Sequence, residues 1–132
     1  MRKYKGTWQY HFITTDERGK IDIDSQGKFH LDEPDANGKF KGKDEDGTAF
    51  NNGEITKSGS LESISFDRPA SQTIPQRHFR GMKVFEGRIN GEFCMVLVGQ
   101  RQKGPFPAFA PDNAEERGLL AQDEGVWIAT KP

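Results

Sequence analysis

Glycine divides this chain into short segments of regular character. Seven units consist of a glycine, then a polar residue, then an apolar one, and they begin at Gly19, Gly27, Gly38, Gly53, Gly59, Gly87 and Gly91. Glycine reaches positive φ at little energetic cost, so each unit is interpreted as a turn that releases the chain into a new strand. Short strands joined by tight turns in sequence order predict an antiparallel meander.

The segments between these turns alternate with a period of two, which is typical of half-buried strands. In GTWQYHFITT the alternation places Trp8, Tyr10 and Phe12 on one face. Strands are predicted near residues 6–15, 20–24, 28–32, 38–43, 53–57, 60–67, 77–88, 91–101 and 124–130. An open sheet of this length exposes two edges, and closure removes them. We therefore predict one all-β domain over residues 1–132, an antiparallel up-and-down barrel of about eight strands.

The segment DIDSQGKFHLDE, residues 22–33, matches a calcium-loop template in its spacing. Template positions 1, 3, 6 and 12 are occupied by Asp22, Asp24, Gly27 and Glu33. Such a loop needs flanking helices, yet the sequence on both sides is rich in helix breakers. The preferred interpretation is a hairpin whose turn is Ser25-Gln26-Gly27, and the acidic stretch KDEDGT, residues 43–48, is likewise interpreted as a solvated hairpin tip. No metal site is predicted.

Composition excludes several classes of partner. The formal net charge is -1 with lysine and arginine spread along the chain, so no basic field attracts nucleic acid. No run approaches the roughly 20 apolar residues that cross a bilayer, and no apolar segment follows the basic start, so no membrane association is expected. The lone Cys94 fits a reducing compartment, because oxidised scaffolds pair their cysteines. These features predict a cytoplasmic protein.

Two long connections interrupt the meander. They are DRPASQTIPQR and QKGPFPAFAPDNAEERGLLAQDEG, and loops of this length commonly carry function. In the second, Asp112 and Glu115 can form a capping box for a short helix over 112–121, although a glycine within that range disfavours it. Phe106 and Phe109 precede this helix. They either cover a barrel mouth, pack against another chain, or seal the loop against the core.

Residues with catalytic potential are few. His11, His30 and His78 lack the helical partners or cysteines of a zinc site, and no serine lies in a nucleophile elbow. We predict no cofactor, and an enzyme is the least favoured class, with His78 or Glu86 as candidate acid or base. Basic residues in RHFRGMK and GQRQKG form either an anion-binding rim or a solvated basic face: Arg77, Arg80, Lys83, Arg101 and Lys103.

The first strand resembles that of a known superfamily. Gly6-Thr7-Trp8 is similar to the Gly-x-Trp signature of the calycins, which comprise lipocalins, fatty-acid-binding proteins and avidins, and the hairpin that follows most resembles the avidins. The resemblance implies a barrel that holds a small ligand, with Trp8 plugging one end and the strand of Trp127 closing against the first. Lipocalins pack an arginine over this tryptophan, and Lys131 is the nearest counterpart.

We therefore predict a barrel that binds a small hydrophobic or aromatic ligand at its open end. The expected lining combines aromatic walls with a few polar groups, namely Tyr10, Phe12, His78, Arg80, Phe106 and Phe109. A bulge at Gly81 would reconcile two apolar registers in the strand near 77–88, and the direction of Arg80 depends on it. The alternative is an interaction module, a barrel filled by its own side chains with a homodimer interface through the loop 102–123.

Overall fold

The computed structural model describes residues 2–15, 21–70, 76–103 and 125–131. These residues contain a one-turn 3₁₀ helix, Arg2–Tyr4, and nine strands. The strands are β1 (Gly6–Thr15), β2 (Ile21–Leu31), β3 (Lys39–Phe40), β4 (Gly42–Asp44), β5 (Asn51–Ser58), β6 (Leu61–Arg68), β7 (Arg77–Ile89), β8 (Glu92–Lys103) and β9 (Gly125–Lys131). The predicted all-β class is confirmed. The helix predicted over 112–121 lies outside the described residues, as do Phe106 and Phe109.

The nine described strands form one antiparallel sheet in the order β3-β5-β6-β7-β8-β9-β1-β2-β4. Its outer strands, β3 and β4, are separated in the chain by Lys41 alone, so this segment joins the two ends of the sheet and nearly closes it. Backbone bonds from Asp32 N to Lys41 O (2.8 Å) and from Phe50 N to Gly42 O (2.9 Å) hold the segment in place. With β3 and β4 counted as one crossing, the predicted up-and-down barrel of about eight strands is confirmed.

Aromatic rings fill the middle of the barrel. The Phe66 ring lies 4.7 Å from Phe79 in a stacked pair and 4.6 Å from Phe50. Burying a ring of this size contributes on the order of 2 kcal/mol or more, so these contacts carry much of the fold's stability. The core cluster comprises Tyr4, Trp8, Phe29, Leu31, Phe40, Phe50, Ile55, Ile64, Phe66, Phe79, Met95, Leu97, Trp127 and Ala129.

The stretch predicted as a hairpin is one continuous strand. β2 passes through the expected turn and pairs with β1 along its whole length, with one extra residue absorbed as a bulge. Gly27 lies opposite Tyr10, and a Cβ added to Gly27 would stand 2.7 Å from Tyr10 Cζ. This glycine makes room for a ring rather than a turn, so the turn prediction was wrong. The side chains of Asp22 and Asp24 lie outside the described part of the chain.

Of the six glycine units that lie in the described part of the chain, three form turns. Gly38, Gly59 and Gly91 have positive φ, whereas Gly27, Gly53 and Gly87 lie within strands and Gly19 lies outside the described residues. The tightest hairpin joins β7 to β8 through Asn90 and Gly91, with φ of 53° and 82°. Two successive positive values are what a two-residue type I′ turn requires. Here the local sequence and the structure agree.

The bulge of β7 lies at Val84, three residues beyond the predicted position at Gly81. Val84 falls between two residues that pair with β8, whereas Gly81 pairs directly with its partner strand. The residues before the bulge therefore keep strict alternation. Phe79 is buried in the core, so its neighbours His78 and Arg80 lie on the outer face.

Charged side chains close the end of the barrel at which β1 begins. Glu62 is only 6% exposed, and its carboxylate accepts hydrogen bonds from Tyr4 Oη at 3.0 Å, Lys3 Nζ at 3.0 Å and Lys83 Nζ. Glu86 lies 2.9 Å from Lys3 and 3.0 Å from Lys83. Burial alone raises the pKa of Glu62, but the bonds from Lys83, Lys3 and Tyr4 outweigh it and hold the pKa at about 2.

Trp8 is fully buried at this same end, which we call the Trp8 end. Its Nε1 donates to the carbonyl of Tyr4 at 3.0 Å, and its ring stacks on Phe29 at 6.2 Å. Lys131 donates from Nζ to the carbonyl of Lys3 at 2.8 Å, which ties the last strand to the 3₁₀ helix. Burial lowers the pKa of Lys131. The tryptophan thus plugs one end of the barrel.

Candidate functional site

The opposite end of the barrel differs because its inward positions are charged. β1, β6 and β8 end there, and β2, β7 and β9 begin there. Two residues beyond the apolar core, the inward alternation leads from Phe66 to Arg68 and from Phe79 to Arg77. On β8 the same alternation reaches Arg101. We call this end the arginine end, and Arg68, Arg77 and Arg101 the arginine cluster.

Strand register brings the arginine cluster together. Arg68 of β6 is the direct partner of Arg77 of β7, and Arg101 of β8 is the direct partner of Phe79. Arg68 is 9% exposed and Arg101 is 6% exposed, so both guanidinium groups are largely removed from water. Register therefore places Arg68 beside Arg77, and Arg101 one inward position earlier, beside Phe79. Like charges directly opposite each other are destabilising unless anions accompany them.

The acidic tip between β4 and β5 supplies two of these anions. Arg68 donates from Nε to Asp44 Oδ2 at 2.8 Å and from Nη2 to Asp46 Oδ2 at 3.0 Å. Hydrogen bonds from the Thr48 backbone and side chain lower the pKa of Asp46, and Arg68 lowers it further. The tip is a tight turn, as predicted, but Asp44 and Asp46 are bonded to a buried arginine rather than only to solvent. They fix the position of Arg68.

Aromatic rings lie directly beneath the arginine cluster. The guanidinium carbon of Arg101 stands 3.3 Å from the centroid of the Phe12 ring, and Phe12 is 2% exposed. A guanidinium placed in this way is held by the face of the ring. Trp127 pairs with Phe12 across β1 and β9 and meets Phe79 at 6.0 Å. These rings form an apolar floor under a charged rim.

Tyr10 completes the arginine end on the side of β1 and β2. Its ring is half-buried, packs 5.7 Å from Phe29 and faces the gap left by Gly27. Burial raises the pKa of Tyr10, Asp44 raises it further, and the three arginines oppose the change. The hydroxyl therefore stays protonated at neutral pH. It can therefore donate a hydrogen bond at a position close to the three arginines.

The structure divides the predicted site residues between two faces. Tyr10 and Phe12 face the interior at the arginine end. His78 lies outside, with Nδ1 2.6 Å from Asp67 Oδ1, and Asp67 also accepts from Asn52 Nδ2 at 3.0 Å. Arg80 is exposed on the outer face, where it lines a shallow groove. His78 and Arg80 therefore do not share the interior with Tyr10 and Phe12.

The predicted basic set is also divided. Arg77 and Arg101 belong to the arginine cluster, Arg80 lies outside, and Lys83 binds Glu62 at the Trp8 end. The side chain of Lys103 lies outside what the structure describes. Arg68 was missed altogether. The alternation Ile64, Phe66, Arg68 in SISFDR contains the signal, since each position two residues further keeps the same face.

An apolar stripe occupies part of the outer surface. Among the described residues, the exposed large hydrophobic side chains are Leu61, Met82, Val84, Phe85, Ile89 and Val126, and four of these six belong to β7. Met82 pairs with Val98, which in turn pairs with Ile128 on β9. Outward positions on three neighbouring strands thus form a continuous surface of apolar side chains, which we call the β7–β9 stripe.

Comparison with known proteins gives no relative. No protein-family model matches the chain, no curated protein matches it, and no solved structure matches its fold at a significant level. Within residues 2–15, 21–70, 76–103 and 125–131, no three His, Cys, Asp or Glu side chains are grouped so as to hold a metal ion. In the same ranges no helix has the length and apolar character needed to span a membrane.

Proposed function

We propose that this chain is a calycin-like barrel that binds a small molecule at the arginine end. One observation carries the proposal. The inward positions of the barrel change from aromatic and aliphatic in the middle to Tyr10, Arg68, Arg77 and Arg101 at one end. A barrel whose interior serves stability alone gains most from apolar side chains at every inward position, because a buried charge is costly to desolvate.

The filled middle of the barrel sets the depth of this site. Phe66, Phe79 and Trp127 occupy the interior between the two ends, and Phe12 is itself buried beneath Arg101, so a ligand would lie above these rings, beside Tyr10 and the arginine cluster. Small-ligand sites combine apolar walls with a few fixed polar groups, and the arginine end offers both. A flat aromatic or otherwise hydrophobic molecule suits the half-buried ring of Tyr10 beside planar guanidinium groups.

Titration with the neutral fluorophore N-phenylnaphthylamine tests the proposal. We expect saturable binding of one probe per chain and a rise in fluorescence as the probe leaves water. Tyr10→Ala should weaken binding by about tenfold, the effect of losing roughly 1.4 kcal/mol of ring contact. Gln9→Ala is the matched control, because Gln9 is exposed and lies on the opposite face of the same strand. Absence of saturable binding, or equal loss in both variants, contradicts the proposal.

A homodimer is the second candidate, and the β7–β9 stripe favours it. The stripe is apolar and uncharged at its centre, so two copies can meet there across a twofold axis without placing like charges together. Native mass spectrometry separates the candidates. A monomer carrying a small molecule supports the ligand site, whereas an empty dimer that Phe85→Ser dissociates supports the stripe.

We also propose a cytoplasmic location. The single cysteine, Cys94, is unpaired in the barrel wall, which suits a reducing compartment. Localisation of a tagged chain by fluorescence microscopy or fractionation tests this, and recovery from a secreted fraction would contradict it.

A further inference from the structure

We infer that the acidic tip, residues 44–48, is an ionic latch that gates access to the arginine end. This inference rests on the proposed function and adds how a ligand enters and leaves that site. Its starting point is the way in which the tip is attached to the barrel. Asp44 and Asp46 accept hydrogen bonds from Arg68, and the chain after the tip is anchored by Phe50, which is buried in the core.

The acidic tip keeps its shape through its own hydrogen bonds. Backbone bonds run from Asp44 N to Thr48 O at 2.8 Å and from Gly47 N to Asp44 O at 2.9 Å. Asp46 Oδ1 accepts from Thr48 N at 2.9 Å, and Gly47 has a φ of 90°, which glycine adopts at little cost. Because these bonds are local, the tip can move as one unit without losing them.

The tip is joined only loosely to the strand beside it. Pairing of β4 with β2 ends where Asp44 meets Phe29. Every residue from Lys43 to Ala49 is exposed or half-buried, so this segment places no fully buried apolar side chain against the barrel. Segments with few buried apolar contacts open at low energetic cost. The bonds from Arg68 therefore have a large part in holding the tip against the barrel.

With the tip bonded to Arg68, the space beside Tyr10 is small. A gap of about 210 Å³ lies between the tip and the first two strands, and Tyr10, Gly27 and Glu45 contribute to its lining. Small-molecule sites have volumes of roughly 300–1,000 Å³. A ligand that packs on the Tyr10 ring therefore needs the tip to move outward, which requires the bonds from Arg68 to break.

A gate of this kind has a kinetic signature. The ligand enters and leaves only while the tip is open, so both rates are proportional to the fraction of open molecules. The Asp46 carboxylate is largely exposed and the Asp44 carboxylate is half-buried, so water and salt screen the Asp46 pair more. Weakening either pair should raise the association and dissociation rates together and change the affinity little.

Stopped-flow mixing with N-phenylnaphthylamine tests the latch. Asp46→Asn keeps an acceptor for Thr48 N but removes the charge that faces Arg68. We expect both rates to rise by about two- to fivefold, as the loss of one largely exposed ion pair predicts. In Asp44→Asn/Asp46→Asn, which weakens both pairs, the rise should reach about tenfold or more.

Salt provides a second measurement on the unaltered chain. The probe is neutral, so salt acts on the latch and not on a charge of the ligand. Raising the NaCl concentration from about 20 mM to about 500 mM should accelerate association and dissociation together, because it screens the exposed pair. The double variant should show no such acceleration. If the double variant fails to fold, Asp46→Asn should show a smaller acceleration than the unaltered chain.

Asp32→Asn is the matched control for Asp46→Asn. The Asp32 side chain is 59% exposed and that of Asp46 is 58% exposed, but the ion pair of Asp32 is with His30 rather than with Arg68. Asp32→Asn should therefore leave both rates unchanged.

The outcomes separate the inference from the proposed function. Saturable binding with equal rates in Asp46→Asn and Asp32→Asn overturns the latch and leaves the proposed function intact. Faster dissociation with unchanged association also overturns it, because a damaged site gives that result and a gate does not. Absence of saturable binding contradicts the proposed function itself, and the inference falls with it.

Discussion

Removing the charge of Glu62 is the sharpest test of how the Trp8 end is held. The carboxylate is almost fully buried and receives hydrogen bonds from Tyr4, Lys3 and Lys83. Its pKa of about 2 lies below the ordinary value of 4.5, and this difference corresponds to roughly 3 kcal/mol of stability near pH 7. Glu62→Gln keeps the shape of the side chain and one hydrogen-bond acceptor, but it removes the negative charge that Lys3 and Lys83 contact. We expect a loss of about 2–3 kcal/mol in the free energy of unfolding.

The pH dependence of this loss is equally specific. Because folding lowers the pKa of Glu62, its contribution is complete above the ordinary value of 4.5 and disappears as the pH falls toward about 2. Near pH 3 the same relation leaves roughly 1.4 kcal/mol, so the difference between the original chain and Glu62→Gln should shrink by about 1.5–2 kcal/mol.

Urea unfolding of both chains at about pH 7 and about pH 3 measures these differences. Glu54→Gln is the matched control, because Glu54 forms a 2.8 Å pair with Lys39 in which both side chains are largely exposed. Such a pair contributes about 0–1 kcal/mol, so little change is expected. Equal losses for the two substitutions at neutral pH, or a loss for Glu62→Gln that does not decrease in acid, would contradict this role of Glu62.

Three further substitutions test separate parts of the account. Gly27→Ala places a Cβ 2.7 Å from Tyr10 Cζ, so the Tyr10 ring must move. We expect weaker binding of N-phenylnaphthylamine and a loss of about 1–3 kcal/mol in the free energy of urea unfolding. Phe66→Ala empties the centre of the core and should cost about 3–5 kcal/mol by the same measurement, whereas the outward Phe85→Ala should cost less than about 1. Asp35→Ala removes the Oδ1 that accepts hydrogen bonds from two backbone amides in the turn before β3, so we expect a loss of about 1 kcal/mol in the free energy of unfolding by heat or urea. For each of these three substitutions, an unchanged unfolding midpoint would contradict the expectation.

Alternation predicted the strands well because burial imposes it locally. Trp8 and Phe12 share one face of β1 in the sequence and lie inside the barrel in the structure. The barrel followed from the number of strands and the exposed edges of an open sheet. The division of one crossing into β3 and β4 at Lys41 could not be predicted. It arises because β3 pairs with β5 and β4 pairs with β2, which lie at opposite ends of the sheet.

A glycine was wrongly predicted to form a turn where its role depends on a side chain distant in sequence. Gly27 looks like a turn residue in its own segment, and only the pairing with β1 shows that it accommodates Tyr10. The position of the β7 bulge was likewise set by pairing with β8, at Val84 rather than Gly81. Arg80 precedes the bulge and lies outward because its neighbour Phe79 lies inward. Local sequence specifies the alternation of a strand, but a bulge shifts the faces of all residues beyond it.

The candidate site was predicted in part. Tyr10 and Phe12 were identified because they extend the inward face of β1 beyond Trp8. Arg68 was missed because a charged residue at the end of a strand is ordinarily assigned to solvent. Its burial depends on Asp44 and Asp46, which lie more than 20 residues earlier in the chain and reach it only when the barrel closes. Long-range pairing of charges leaves no periodic signal in sequence.

The most direct test of the ligand site is a titration of isotope-labelled protein with N-phenylnaphthylamine, followed by two-dimensional amide NMR spectra. We expect saturable shifts at Gly27 and Gly125, which lie beside Tyr10 and Phe12, and none at the hairpin turns of Gly59 and Gly91 near the Trp8 end. Shifts confined to Met82 and its neighbours in the β7–β9 stripe, or no saturable shift at all, would contradict a ligand site at the arginine end.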